Sequence, residues 1–140
     1  MENKFKIIVS YIKDLSVEIP SPEALVTIRN TIPEYKMKVD INSKPLKRKM
    51  IEVLTTLTYE NPNKKKEKGF FQIAYANVIE ILDLKINKAD LEKIILNDLQ
   101  IMMYPELEEK FLNILRTSGL PDLKFVNKID FEKLYKERLN

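Results

Sequence analysis

From Phe5 onward the odd positions read Phe5, Ile7, Val9, Tyr11, Leu15, Val17 and Ile19, with Lys6, Ser10, Asp14, Ser16 and Glu18 between them. Successive side chains of a strand point to opposite faces, so this period of two predicts a strand over 5–19 with one apolar and one charged face. Lys13 is the one break. The carboxylates of Asp14 and Glu18 fall on the water-facing side, where a partner can read them. Pro20 and Pro22 end the strand, because neither can donate to a ladder. Over 21–32, Ala24, Leu25, Val26 and Ile28 form too short a run to assign. Alternation resumes with Tyr35, Met37, Val39 and Ile41 and is interrupted at Asn42-Ser43-Lys44-Pro45. It returns as Ile51, Val53, Leu57 and Tyr59, with threonines that suit a pleated, half-buried surface. Asn61-Pro62-Asn63 and Lys64-Lys65-Lys66 predict a turn, so a strand over about 69–82 should return antiparallel as a hairpin. Phe71, Ile73, Tyr75, Ile79 and Ile81 occupy one of its faces, and Phe70, Ala74, Ala76 and Val78 the other. Both faces are apolar, and both are expected to be covered.

After residue 85 the period lengthens. Asn87 is a candidate helix cap with Asp90 three residues on. Leu91, Ile94, Ile95, Leu99 and Met102 then share a helical face, continued by Leu107, Phe111, Ile114 and Leu115. Pro105 inside this run predicts a kink, and Gly119 with Pro121 predicts the stop. Leu96, Ile101 and Met103 lie off the main stripe, which points to deep burial or to a second subunit. A short amphipathic helix over about 129–138 closes the chain, with Phe131, Leu134, Tyr135 and, just beyond, Leu139 as its apolar positions. Strands followed by helices make this an α+β fold with an antiparallel sheet, and 140 residues make one domain, 1–140.

Composition removes most chemistry. The chain has no cysteine and no histidine, which excludes disulfides, thiolate metal sites and the usual general base near neutral pH. Only Gly69 and Gly119 are present, too few for a phosphate loop. The sequence therefore predicts no catalytic residue, no metal, no cofactor and no enzyme. Glu106, Glu108 and Glu109 read as a solvated helix face. No apolar run reaches the length of a membrane span and the N-terminal run is too short for a signal peptide, so a cytoplasmic protein without membrane insertion is expected. Basic side chains number 24 against 21 acidic. The groups Lys44-Lys47-Arg48-Lys49 and Lys64-Lys65-Lys66 read as turn solubility and edge protection, with contact to phosphate or an anionic client as the alternative. A nucleic-acid module built on those lysines is a second class of function; it is not the expected one. Tyr35, Met37 and Val39, with Phe131, Leu134 and Tyr135, suit either ordinary core or a groove for apolar peptide segments.

Several stretches together resemble the SecB-type protein-export chaperones over about residues 8–139. They are Tyr11-Ile12-Lys13-Asp14-Leu15-Ser16-Val17-Glu18, Pro33-Glu34-Tyr35-Lys36-Met37-Lys38-Val39-Asp40, Ile51-Glu52-Val53 with Leu57-Thr58, and Tyr75-Ala76-Asn77-Val78. Tyr104-Pro105, Ser118-Gly119-Leu120-Pro121 and Ile129-Asp130-Phe131-Glu132-Lys133-Leu134-Tyr135 complete the set. The resemblance implies a four-stranded antiparallel sheet with a long kinked helix and a short C-terminal helix packed on one face. It implies a homotetramer, a dimer of dimers, with Leu96, Ile101 and Met103 of the long helix at the interface. It also implies an ATP-independent holdase for unfolded polypeptides. Its client-binding residues would be Tyr35, Met37, Val39, Phe131, Leu134 and Tyr135. Asp14, Glu18, Phe70 and Gln72 would face the translocase motor SecA. Gln72 stands where the family usually has an acidic residue, the chain stops at Lys-Glu-Arg-Leu-Asn without an acidic tail, and its balance is basic. These departures favour the alternative of a chaperone dedicated to the antitoxin of a toxin–antitoxin pair.

Overall fold

The computed structural model describes residues 4–63, 68–126 and 128–139. The turn expected at Lys64-Lys65-Lys66 lies outside them. Strands β1 (Phe5–Glu18), β2 (Lys36–Pro45), β3 (Met50–Glu60) and β4 (Phe70–Ile81) form one antiparallel sheet in the order β1-β4-β3-β2. Thus β1 and β2 are its two edges.

The first strand departs from simple alternation. Its register against β4 shifts between Ile7 and Val9 and again between Ile12 and Asp14, so it carries two β-bulges. Each bulge flips the following side chains to the other face. Phe5 and Ile7 pair with Ile81 and Ile79 on the core face, whereas Val9 and Tyr11 pair with Val78 and Ala76 on the other. The second bulge, at Lys13, restores the phase, so Leu15 and Val17 return to the core face while Asp14, Ser16 and Glu18 keep the open one. Val9 and Tyr11 therefore do not share a face with Phe5 and Leu15 as the strict alternation predicts. The break seen at Lys13 is a structural one.

The unassigned stretch 21–32 contains helix α1 (Pro22–Asn30) and a 3-10 turn (Ile32–Glu34). Ser21 caps α1 by accepting from the Ala24 N–H at 3.0 Å, and Pro22 occupies the first turn, where no N–H partner is needed. Asn87 caps α2 (Lys88–Lys93) by accepting from Asp90. A π turn (Ile94–Asp98) then joins α2 to α3 (Leu99–Thr117), which runs through Pro105. Gly119, with φ of 97°, follows the helix, and Ser118 donates to Ile114 and Leu115. Helix α4 (Phe131–Leu139) starts where Asp130 accepts from the Lys133 N–H.

Helix side chains such as Ile28, Leu99, Leu107, Phe111 and Phe131 join Val53, Leu57, Phe71, Ile73 and Ile79 in one core on the odd-numbered face of β3 and β4. The other face, expected to be covered because of Phe70, Ala74, Ala76 and Val78, contributes nothing to that core. Ala76 is nonetheless buried, because it is small and stands between Tyr11 and Leu54 on the flanking strands. The sheet is thus packed on one face only. Buried Gln100 ties helix to sheet: it accepts from Thr55 Oγ1 and donates to the Ile95 carbonyl in the π turn, both at 3.2 Å.

Candidate polypeptide-binding groove

Three adjoining cavities follow the β2 edge, bounded by residues 124–126 and 128–138. The first, about 360 Å³, is lined by Tyr35, Met37, Tyr59, Tyr104, Phe125 and Ile129 among others. The second, about 410 Å³, shares Met37 and Ile129 and adds Val39 and Leu134. The third, about 210 Å³, shares Val39 and Leu134 and adds Ile41, Leu96, Phe131 and Tyr135. Shared walls make them one groove along the strand. All six side chains expected to bind clients line it. Their shares differ: Tyr35 and Phe131 are buried and form floor, Met37, Val39 and Tyr135 are half-buried, and Leu134 is exposed.

Aromatic packing fixes the floor. Tyr59 meets Tyr35 at 5.2 Å and Phe125 edge-on at 5.4 Å, and Tyr104 meets Phe131 edge-on at 5.0 Å. Burial pushes the Tyr59 phenol up to about 12, with Tyr35 adding to the effect. Burial also raises Tyr104 strongly, helped by the Glu108 carboxylate, and raises Tyr35 against the opposing Gly69 amide. The floor is therefore neutral and apolar at physiological pH. Tyr59, Tyr104 and Phe125 were not anticipated as groove residues. Tyr59 sat correctly on the apolar face of its strand, but nothing in the linear pattern brings residue 59 beside residue 125.

On the open face of the sheet, Glu18 stands opposite Phe70 and Ser16 opposite Gln72, with Asp14 one pair further along. The four side chains expected to face a motor thus fall in one area of the open face, on the opposite side of the sheet from Tyr35, Met37 and Val39. Gln72 donates to Thr58 Oγ1 at 2.9 Å. Further along this face, Tyr11 and Lys13 both donate to Glu52, at 2.6 and 2.5 Å, and hold its carboxyl below the usual range.

The three side chains assigned to a subunit interface are not brought together. Met103 is 2% exposed and lies in the protomer's own core, and Leu96 lines the groove. Ile101 is exposed, and Met102, placed by the sequence pattern on the buried stripe, is exposed beside it. The π turn accounts for the exchange. It adds a residue to one turn, so every later position rotates relative to the α-helical spacing.

Among the described residues no group of three or more His, Cys, Asp or Glu side chains is placed to hold a metal, and no helix is long and apolar enough to cross a membrane.

Fold and groove together define an α+β module whose sheet has helices on one face and an apolar channel beside an edge strand. The chain belongs to the SecB family: the model for preprotein translocase subunit SecB matches residues 1–140. A SecB protein of Pelagibacter ubique is 41% identical over 140 residues, covering the whole of both chains. The protein-export protein SecB of Paramagnetospirillum magneticum is 29% identical over 129 residues, 91% of this chain and 81% of that one. Among solved structures, a SecB-like chaperone of Mycobacterium tuberculosis in complex with a ChAD peptide from an antitoxin is similar with a TM-score of 0.61. Its identity is 11%, covering 89% of this chain and 91% of that one.

Proposed function

We propose that this SecB-family chain is an ATP-independent holdase of protein export that keeps non-native polypeptides in the groove along β2 and delivers preproteins to SecA. The observation that carries this reading is the continuous groove beside an edge strand, whose apolar side chains are rimmed by charged ones such as Lys128, Asp130, Lys133 and Glu137. Met37, Val39 and Leu134 offer adaptable contact, while Tyr35 and Phe131 supply a fixed floor. The outer edge of β2 pairs with no other strand among the described residues, so an extended client can add to the sheet through its backbone. Burying a few client side chains at about 1.5–3 kcal/mol each provides affinity without sequence specificity. No catalytic step is needed.

The opposite face would serve the motor. Asp14, Glu18 and Phe70 form the docking patch in this reading, and Gln72 replaces a charge with a hydrogen-bonding amide. Docking then rests on two carboxylates, and client and motor do not compete for one surface. We place the chaperone in the cytoplasm as a dimer of dimers, with the exposed Ile101 and Met102 of α3 among the covered residues. The names of the export relatives favour this reading over a dedicated antitoxin chaperone, since the antitoxin-bound structure is similar in fold at only 11% identity.

Replacing Met37 and Leu134 together by Asp tests the groove. Leu134 is exposed and Met37 half-buried, so a melting curve must accompany the assay to show that the double variant still folds. Losing two apolar contacts should weaken client binding by about 100-fold or more, and stoichiometric protein should no longer suppress light scattering by an aggregating client. A folded double variant with full suppression would refute the groove assignment.

A further inference from the structure

The chain's cations cluster in two runs, residues 44–49 and 64–68, and the first holds no acid. Lysine and arginine number 24 against 21 acidic residues, and residues 44–49 hold four of those cations and no carboxylate, leaving 20 against 21 elsewhere. The four are Lys44, Lys47, Arg48 and Lys49, at the tip of the β2–β3 hairpin. Leu46 N–H to Met50 O at 2.8 Å and Met50 N–H to Lys47 O at 3.3 Å close that tip. Arg48 and Lys49 have φ of 60° and 64°, the left-handed region that a residue with a Cβ adopts at a cost. Hairpin turns with two such residues favour Asn-Gly. Here the two positions hold long cations instead, and Lys47, Arg48 and Lys49 form no ion pair among the described residues.

Apolar side chains stand beside these charges. Ile81 donates to the Lys49 carbonyl at 3.0 Å, which binds the tip to the end of β4, and Leu82 donates to the Lys4 carbonyl at 2.8 Å. In the connection that follows, Leu82 and Leu84 are 44% and 72% exposed, and Leu46 on the tip is 38% exposed. A hollow of about 300 Å³ separates tip and connection, with Met50, Ile86 and Leu91 in its walls beside Lys49 and one carboxylate, Asp83. Glu52 stands opposite Lys44, so Lys47, Arg48 and Lys49 carry the uncompensated charge.

We propose that this hairpin tip, with Leu82 and Leu84, is a docking surface for an anionic bilayer. Anionic headgroups match the cations, and the shallow apolar interface beneath them accepts protruding leucines. Nucleic acid fits less well: the tip has no aromatic side chain on which a base can stack, and exposed leucines gain nothing from phosphate. An acidic peptide would satisfy the charges but leave the three leucines in water. The surface is distinct from the groove and from the acidic patch on the open face. It would hold the chaperone at the membrane whether or not SecA is bound.

Flotation of the intact protein with vesicles of phosphatidylcholine containing about a third phosphatidylglycerol tests the proposal. Binding is expected there, weakening as salt rises, with none to pure phosphatidylcholine. Arg48→Asn with Lys49→Gly gives the turn the residues it prefers, so the melting temperature should hold or rise. At about fivefold per cation near such a surface, binding should nevertheless fall by about 25-fold. Leu84→Ser should weaken the binding that remains at high salt. Equal binding to both vesicle types, or undiminished binding after Arg48→Asn with Lys49→Gly, would overturn the proposal. Capture by polyglutamate without vesicle binding would overturn it too, in favour of an acidic polypeptide.

Discussion

Tyr59 joins the sheet to the groove's outer wall, because its ring lies between Tyr35 on one side and Phe125 on the other. Its phenol is raised to about 12 by burial. The folded state therefore holds a proton that the unfolded chain releases near 10, the ordinary tyrosine value. Stability from this group is complete below about pH 10 and is lost as the pH rises toward 12. Urea midpoints measured at pH 9 and pH 11.5 should show Tyr59→Phe losing less stability across that interval than the parent, by about 1–2 kcal/mol. Equal losses would mean the ring is not desolvated in solution. Gly69 is constrained differently. A Cβ there would lie 2.8 Å from the Glu18 carbonyl oxygen and 2.9 Å from Ile28 and Phe71, so this glycine permits α1 to close over the start of β4.

At the scale of elements, one buried amide links sheet and long helix within the apolar core they share. Gln100 is fully buried, and replacing it by Met keeps the volume while leaving the Thr55 hydroxyl without its acceptor. That change should cost about 1–3 kcal/mol, measured as a lower urea midpoint with client binding retained. The four strands, the terminal helix, and the cap and stop of the long helix were legible because binary patterning and end signals are local. Where the sequence misled about which face a side chain takes, a single extra residue was responsible. Bulges in β1 move Val9 and Tyr11 to the opposite face, and the π turn exchanges Met102 for Met103. Periodicity detects such an insertion only as a break, and Lys13 was the one visible break. Asn42 to Pro45, expected to interrupt β2, instead continue it, because β3 pairs with them residue by residue. Helix α1 was legible in principle, since Ser21-Pro22-Glu23 is a cap, a first-turn proline and a first-turn acid; its apolar run was too short to stand out. The site was legible as two apolar sets, residues 35–39 and 131–135. Residues 124–126 with 128 and 129, which form much of the wall, lack periodicity because they belong to an irregular connection.

As a whole, the molecule offers four surfaces: the groove, the open face of the sheet, the basic hairpin tip and, continuous with the open face, the β1 edge. The last carries Ile8, Val9, Tyr11, Ile12, Leu15 and Val17, each more than a third exposed, on a strand whose outer backbone is unpaired within the sheet. Such an edge invites a second strand. If copies of the chain cover it, Ile12→Lys with Leu15→Lys should lower the mass found by light scattering after size exclusion while leaving the fold intact. An unchanged mass would place assembly elsewhere, with Ile101 and Met102 the next surface to test. The central claim is that non-native polypeptide lies along β2. A photo-crosslinking residue at Val39, compared with one at Thr56 on the open face, locates an unfolded client directly. Client adducts should form at Val39 well in excess of those at Thr56. Equal labelling at the two positions, or labelling at Thr56 alone, would contradict it.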